Sequence, residues 1–155
     1  MKILLTGASG FIGGQLLTAL IEKYGSDAVV ALTSKKIADV NCIIYKSFSN
    51  FGLESDCFNE ITHIIHAGAF TPKDNSQADD IELSFSNINY TKLFLSYEFI
   101  KLIKFVNLST LDVYAPTEEK LSENSKVEPI SLYGSSKLYC EKMVKAFSAQ
   151  RNVSY

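Results

Sequence analysis

The sequence predicts an α/β fold: a doubly wound parallel sheet in three αβα layers, running to about five strands. Three observations carry this. Short apolar runs alternate with stretches of helical periodicity along nearly the whole chain. Several of the runs are unbroken, as in strands buried on both faces. The first run passes straight into a turn built on Gly7, Gly10 and Gly13, and then into an amphipathic stretch.

Lys2–Thr6 is the first strand. Gly7-Ala8-Ser9-Gly10-Phe11-Ile12-Gly13 turns it into a helix marked by Leu16, Leu17, Leu20 and Ile21, with Gly25 as its C-terminal stop. Ala28–Leu32 is a second strand, and Thr33-Ser34-Lys35-Lys36 leaves the sheet. Asn41–Tyr45 is a third strand, residues 47–52 a loop, and Leu53–Asn59 a short helix. Thr62–Ala67 is a fourth strand, ended by Gly68-Ala69. Thr71–Asp80 is polar, holds a proline and reads as a loop. Ser84–Ile103 reads as a long helix carrying Ile88, Leu93, Phe94, Leu95 and Phe99. Phe105–Ser109 is a fifth strand, and Pro116–Pro129 an exposed loop. Ser131–Ala149 is a last helix, with Leu132, Leu138, Met143, Val144 and Phe147 as its apolar positions. Strands and helices in this order imply right-handed crossovers.

The totals exclude several functions. A length of 155 residues suits one domain. A net charge of −2 without a basic run argues against nucleic acid and against an anionic membrane surface. Cys42, Cys57 and Cys140 are odd in number, widely spaced and set among apolar neighbours. They read as reduced, buried thiols, and with no signal-peptide pattern they predict a cytoplasmic protein. No metal site is expected: CxxC spacing is absent, and His63 and His66, three apart on a strand, face opposite ways. Asp79, Asp80 and Glu82 read as a solvated segment.

In such sheets ligands lie beyond the carboxyl ends of the strands. Gly7–Gly13, Ser34-Lys35, Ala67–Ala69 and Ser109-Thr110 all sit there. The glycine turn aims backbone N–H groups and the positive end of a helix at one point, which suits a phosphate. Tyr133 and Lys137, four apart, share a helix face. A phenol titrates near ~10 in solution, and a neighbouring ammonium lowers it toward use as a proton donor and acceptor. Thr110 or Ser109, at the next strand end, would hold the reacting oxygen.

The chain resembles the extended short-chain dehydrogenase/reductase family, in its NAD-dependent epimerase/dehydratase branch. Thr6-Gly7-Ala8-Ser9-Gly10-Phe11-Ile12-Gly13 matches the TGxxGFIG turn. Ile65-His66-Ala67-Gly68-Ala69 resembles (V/I)-H-x-A-A, with Gly68 where alanine is usual. Asn87-Ile88-Asn89-Tyr90-Thr91 resembles N-V-x-G-T, with Tyr90 at the glycine place. Ser109-Thr110-Leu111-Asp112-Val113-Tyr114 resembles S-(S/T)-x-x-V-Y, and Pro129–Lys137 resembles P-x-S-x-Y-(G/A)-x-S-K. The resemblance implies a Rossmann-like fold. It implies Tyr133 as acid/base, Lys137 on the nicotinamide ribose, and Thr110 on the reacting oxygen. It also implies cofactor contacts from Gly7, Ser9, Gly10, Phe11, Ile12, Gly13, Ser34, Lys35, Ala67, Gly68, Ala69, Asn87, Tyr133 and Lys137. The implied reaction is hydride transfer between a nicotinamide dinucleotide and a carbon of a nucleotide sugar. Relatives often pair through two long helices, here 84–103 and 131–149, which implies a homodimer.

Three departures shape the expectation. NAD-preferring members carry an acidic residue after the second strand, but here Thr33 is followed by Ser34-Lys35-Lys36. NADP is therefore favoured over NAD. The 4,6-dehydratases carry Thr-Asp-Glu where this chain has Thr110-Leu111-Asp112, which favours epimerase or reductase chemistry. Family members are about twice as long, so residues 1–155 are expected to be the N-terminal part of the dinucleotide-binding domain, lacking the substrate region and weakly active or inactive alone. The alternatives are a nonenzymatic dinucleotide sensor and a structural fragment.

Overall fold

Ile3–Thr6 (β1), Val29–Thr33 (β2), Asn41–Ile44 (β3), His63–His66 (β4) and Lys104–Asn107 (β5) pair in parallel in the order β3-β2-β1-β4-β5. The computed structural model describes residues 1–155 apart from the side chain of Asn75. The helices are Phe11–Tyr24 (α1), Asn75–Ala78 (α2), Ile81–Leu95 (α3) and Leu132–Arg151 (α4), with 3-10 turns at Ser26–Ala28 and Leu111–Val113.

Every residue of β1 and β2 is buried, which is why both read as unbroken apolar runs. Successive side chains enter opposite layers. Leu5, Val29 and Ala31 pack against Leu17 of α1, with Leu16, Leu20 and Ile21 beside them. Leu4, Leu32, Ile64 and Phe105 face the other way, into Tyr90 and Phe94 of α3 and Val144 and Phe147 of α4. The three layers and the doubly wound order are those expected. Strand order reverses between β1 and β4, the switch point where a crevice opens.

Some local expectations fail for reasons that lie far along the chain. The helix expected over Ser84–Ile103 runs from Ile81 to Leu95. Asp80 caps it by accepting from Leu83 N–H, and Ser96 closes it by donating its hydroxyl to the Leu93 carbonyl. The chain then leaves the helical path because Tyr97 and Phe99 pack on Phe51 and Phe58, more than thirty residues away. Leu53–Asn59 forms turns rather than a helix. Within the expected loop Thr71–Asp80, Asn75–Ala78 form one helical turn, because Asp74 accepts from the N–H groups of Ser76 and Gln77. The three thiols are free, but only Cys140 is buried; Cys42 and Cys57 are half-buried.

Candidate active site

The β1–α1 turn is shaped by its glycines. Gly7 has φ +70°, and a Cβ there would lie 2.7 Å from Gly68 N. A Cβ on Gly13 would land on the Gly7 carbonyl. Gly10 caps α1 without a side-chain hydrogen bond, and the first turn holds no acidic residue. The leading N–H groups of α1 therefore lack side-chain partners, with the positive helix end behind them. Ser9, Gly10, Phe11 and Ile12 are all exposed around this point. These residues fit a pyrophosphate: the turn is exposed with unpartnered N–H groups at a helix start, and Gly7 and Gly13 let it pack closely on Gly68 and on its own backbone.

The neighbouring strand ends flank the turn. Ser34 and Lys35 are exposed beyond β2, where the Thr33 hydroxyl bonds the Lys35 backbone. Ala67, Gly68 and Ala69 follow β4, and Gly68 N–H donates to Thr6 Oγ1 at 2.9 Å.

Beyond the end of β5, α4 delivers Tyr133. Ser131 caps the helix by accepting from Gly134 N–H at 3.0 Å. Gly134 packs so tightly on the 3-10 turn that a Cβ would land on the Asp112 carbonyl. That approach brings the Tyr133 phenol to the hydroxyls of Thr110 and Thr71. Thr110 donates to Asp112 Oδ2 at 3.0 Å, while its oxygen accepts from Asp112 N–H at 3.3 Å. Ser109, the other hydroxyl considered, is exposed and has no such contact among the described residues. A cavity of about 610 Å³ opens beside Tyr133, lined by Thr71, Lys73, Thr110, Asp112 and Ser131 among others.

Lys137 is 5% exposed and donates to the Leu108 carbonyl at 2.8 Å. Burial lowers its pKa, with Cys140 and Glu141 opposing. The phenol departs from the expectation that Lys137 lowers it. Burial raises Tyr133 above the ordinary value, the Thr71 and Thr110 hydroxyls oppose the rise, and the Asp112 carboxylate adds to it.

Asn87 is also placed differently from its expected cofactor contact. It is 2% exposed, accepts from Phe70 N–H at 2.7 Å, and donates to the Phe70 carbonyl and Ser136 Oγ. It latches the segment after β4 to α4 and so holds Thr71 near Tyr133. Thr71 escaped the sequence reading; its signal was a hydroxyl a few residues beyond a strand end. Among the described residues no group of three His, Cys, Asp or Glu side chains gathers as a metal site. No helix is long and apolar enough to cross a membrane among the described residues.

The sequence model of the NAD dependent epimerase/dehydratase family matches residues 3–155. The chain belongs to this family. A dTDP-D-glucose 4,6-dehydratase of Dictyostelium discoideum is 27% identical over 94% of the chain and 40% of that protein. A trifunctional UDP-glucose 4,6-dehydratase/UDP-4-keto-6-deoxy-D-glucose 3,5-epimerase/UDP-4-keto-L-rhamnose-reductase of Arabidopsis thaliana is 30% identical over 94% of the chain and 25% of that protein. A UDP-glucuronic acid 4-epimerase from Bacillus cereus, solved with UDP-glucuronic acid and NAD, superposes with a TM-score of 0.82. It is 28% identical and covers 99% of this chain and 54% of its own. The chain thus spans about half the length, or less, of these members of the family.

Proposed function

We propose that residues 1–155 form the N-terminal part of the NAD(P)-binding Rossmann domain of a nucleotide-sugar epimerase or reductase. The observation that carries this reading is that Tyr133, Thr110 and Thr71 line one cavity of about 610 Å³, at the same edge of the parallel sheet as the glycine turn.

Gly7, Ser9, Gly10, Phe11, Ile12 and Gly13 would hold the pyrophosphate. Ser34 and Lys35 would take the adenosine ribose, and Ala67, Gly68 and Ala69 would line the floor. A bound nicotinamide dinucleotide would supply hydride acceptance or donation at a sugar carbon. Tyr133, held in its protonated form by burial, donates its proton to a carbonyl oxygen, and the phenolate so formed takes a proton back from a hydroxyl in the reverse direction. Thr110 gives up its bond to Asp112 Oδ2 to hold that oxygen. Lys137 contributes a fixed charge and the ribose contact. Leu111, 69% exposed beside the cavity, brings no acid for expelling a hydroxyl, which favours epimerase or reductase chemistry over 4,6-dehydration.

Lys35 and Lys36, with no carboxylate beside them, support NADP over NAD. Exposed Ile81, Phe85, Leu132 and Tyr139 along α3 and α4 support pairing of two copies through these helices. The free thiols of Cys42, Cys57 and Cys140 support a cytoplasmic setting.

Calorimetric titration of the 155-residue chain with NADP+ and with NAD+ tests the reading. Binding of both, tighter for NADP+, is expected. Equal or tighter NAD+ binding overturns the preference, and no binding of either overturns the assignment.

A further inference from the structure

Gly68 and Tyr90 occupy one volume. A Cβ added at Gly68 would lie 2.8 Å from Tyr90 Cε1 and 3.0 Å from both the Tyr90 hydroxyl oxygen and Thr6 Oγ1. Both positions depart from the motifs they sit in, one by losing a methyl group and the other by gaining a phenol. The two departures are complementary, since the ring of Tyr90 fills the space that the missing Cβ vacates.

The ring reaches further than this one contact. Tyr90 is 1% exposed on α3. It packs on Phe48, Phe51 and Tyr45 of the segment after β3, with centroids 4.7, 5.3 and 6.0 Å away. It stacks on His66 of β4 at 5.7 Å and 11°. Its hydroxyl meets that of Thr6 at the end of β1.

Proton counting settles the direction of that last contact. Cys140 Sγ donates to the Asn87 carbonyl, and Thr91 donates its one proton to Cys140 Sγ. Thr91 Oγ1 must then accept from His66 Nε2–H, 3.2 Å away. Nδ1 of His66 is left as an acceptor and takes the Thr6 proton at 2.9 Å. Thr6 Oγ1 has no proton remaining, so it accepts from Gly68 N–H, and toward the neighbouring Tyr90 hydroxyl it can act only as an acceptor. Burial raises Tyr90 far above its ordinary value, so the donor is present at every working pH.

We infer that Tyr90 is a positioning residue for the dinucleotide: one side chain pins the segments after β1, β3 and β4 into a single floor, and Gly68 exists to admit it. The inference rests on reading those strand ends as the dinucleotide site. Without the hydroxyl, Thr6 keeps only its bonds to His66 and Gly68, and the ends of β1 and β4 are held less tightly to each other. Binding then has to reorder both, which lowers affinity without removing any ligand contact.

The test is calorimetric titration of the 155-residue chain with NADP+, under conditions where circular dichroism shows each variant folded. Tyr90→Phe keeps the ring and should weaken binding about fivefold, the scale of one hydrogen bond. Gly68→Ala should weaken binding in the wild-type background, where the added methyl meets the ring. The same change should cost little in a Tyr90→Ala background, where the space beneath it is open. Wild-type binding with unchanged affinity in Tyr90→Phe overturns the inference alone. So does a Gly68→Ala effect equal in both backgrounds. If Tyr90→Ala does not fold, the Tyr90→Phe result stands as the deciding measurement. No binding by the wild-type chain overturns the assignment of the dinucleotide site, and this inference with it.

Discussion

Gly134 lies against the carbonyl of Asp112 so closely that no side chain fits between them. The contact sets the depth at which the first turn of α4 meets the 3-10 turn carrying Thr110, and so the distance from Tyr133 to Thr110. Gly134→Ala should force the two apart. The expected cost is about 2 kcal/mol in urea unfolding, the usual scale of overpacking a tight site. Unfolding midpoints that match the wild type would contradict this account of how Tyr133 is placed.

His66 should make the chain acid-sensitive well above the carboxylate range. Burial, with the Lys137 charge as a smaller cause, pushes its pKa from 6.5 down to about 3. The folded ring stays neutral, while the unfolded chain binds a proton as pH falls through 6.5. The stability this residue contributes is therefore full above 6.5 and is lost progressively between 6.5 and about 3. From pH 7 to pH 5 the loss should be about 2 kcal/mol in urea unfolding. His66→Gln should flatten that part of the pH profile, and an unaltered slope would remove His66 as its source.

The latch made by Asn87 gives a local prediction. Asn87→Ala leaves both the N–H and the carbonyl of Phe70 without their side-chain partner, and should cost about 2 kcal/mol. Amide exchange at Phe70 and Thr71 should accelerate more than exchange in β1. Uniform acceleration would show that Asn87 supports the fold at large rather than this segment.

How much of this was legible in the sequence follows from distance along the chain. The β1–α1 turn was readable because strand, glycines and helix lie within one short stretch and each enforces the next. Tyr133 and Lys137 were readable because helical spacing alone puts them on one face. The end of α3 was not, since Ile100 and Ile103 continue an apolar pattern yet are 72% and 60% exposed. What stops the helix is aromatic packing against Phe51 and Phe58, which no local window contains. The partnership of Asn87 with Phe70 spans seventeen residues and is equally hidden. The α2 turn was within reach: Asp74 with Gln77 three residues on is a capping pattern, and Gln77 Oε1 accepts from Lys73 N–H.

Cofactor choice should respond to the end of β2. Lys35→Glu is expected to weaken NADP+ binding about tenfold, the scale of one charge-assisted hydrogen bond, and to leave NAD+ nearly unchanged. Equal losses for both dinucleotides in parallel titrations would show that Lys35 does not read the ribose phosphate.

Pairing through α3 and α4 should depend on Phe85, 56% exposed on their shared apolar face. Phe85→Glu should shift the chain from dimer to monomer in sedimentation velocity, with its circular dichroism unchanged. A wild-type chain that sediments as a monomer at every concentration would exclude this pairing.

The bond from Lys137 to the Leu108 carbonyl has a consequence in proton arithmetic. An ammonium carries three N–H bonds and no acceptor. One is taken by Leu108, and the bond fixes the nitrogen in place. The remaining two diverge from a single point, the pattern that adjacent hydroxyls of a sugar ring can accept together. A partner offering one oxygen there would strand a donor on a side chain only 5% exposed. In the reading proposed above, Lys137 would gauge a pair of hydroxyls as much as supply charge.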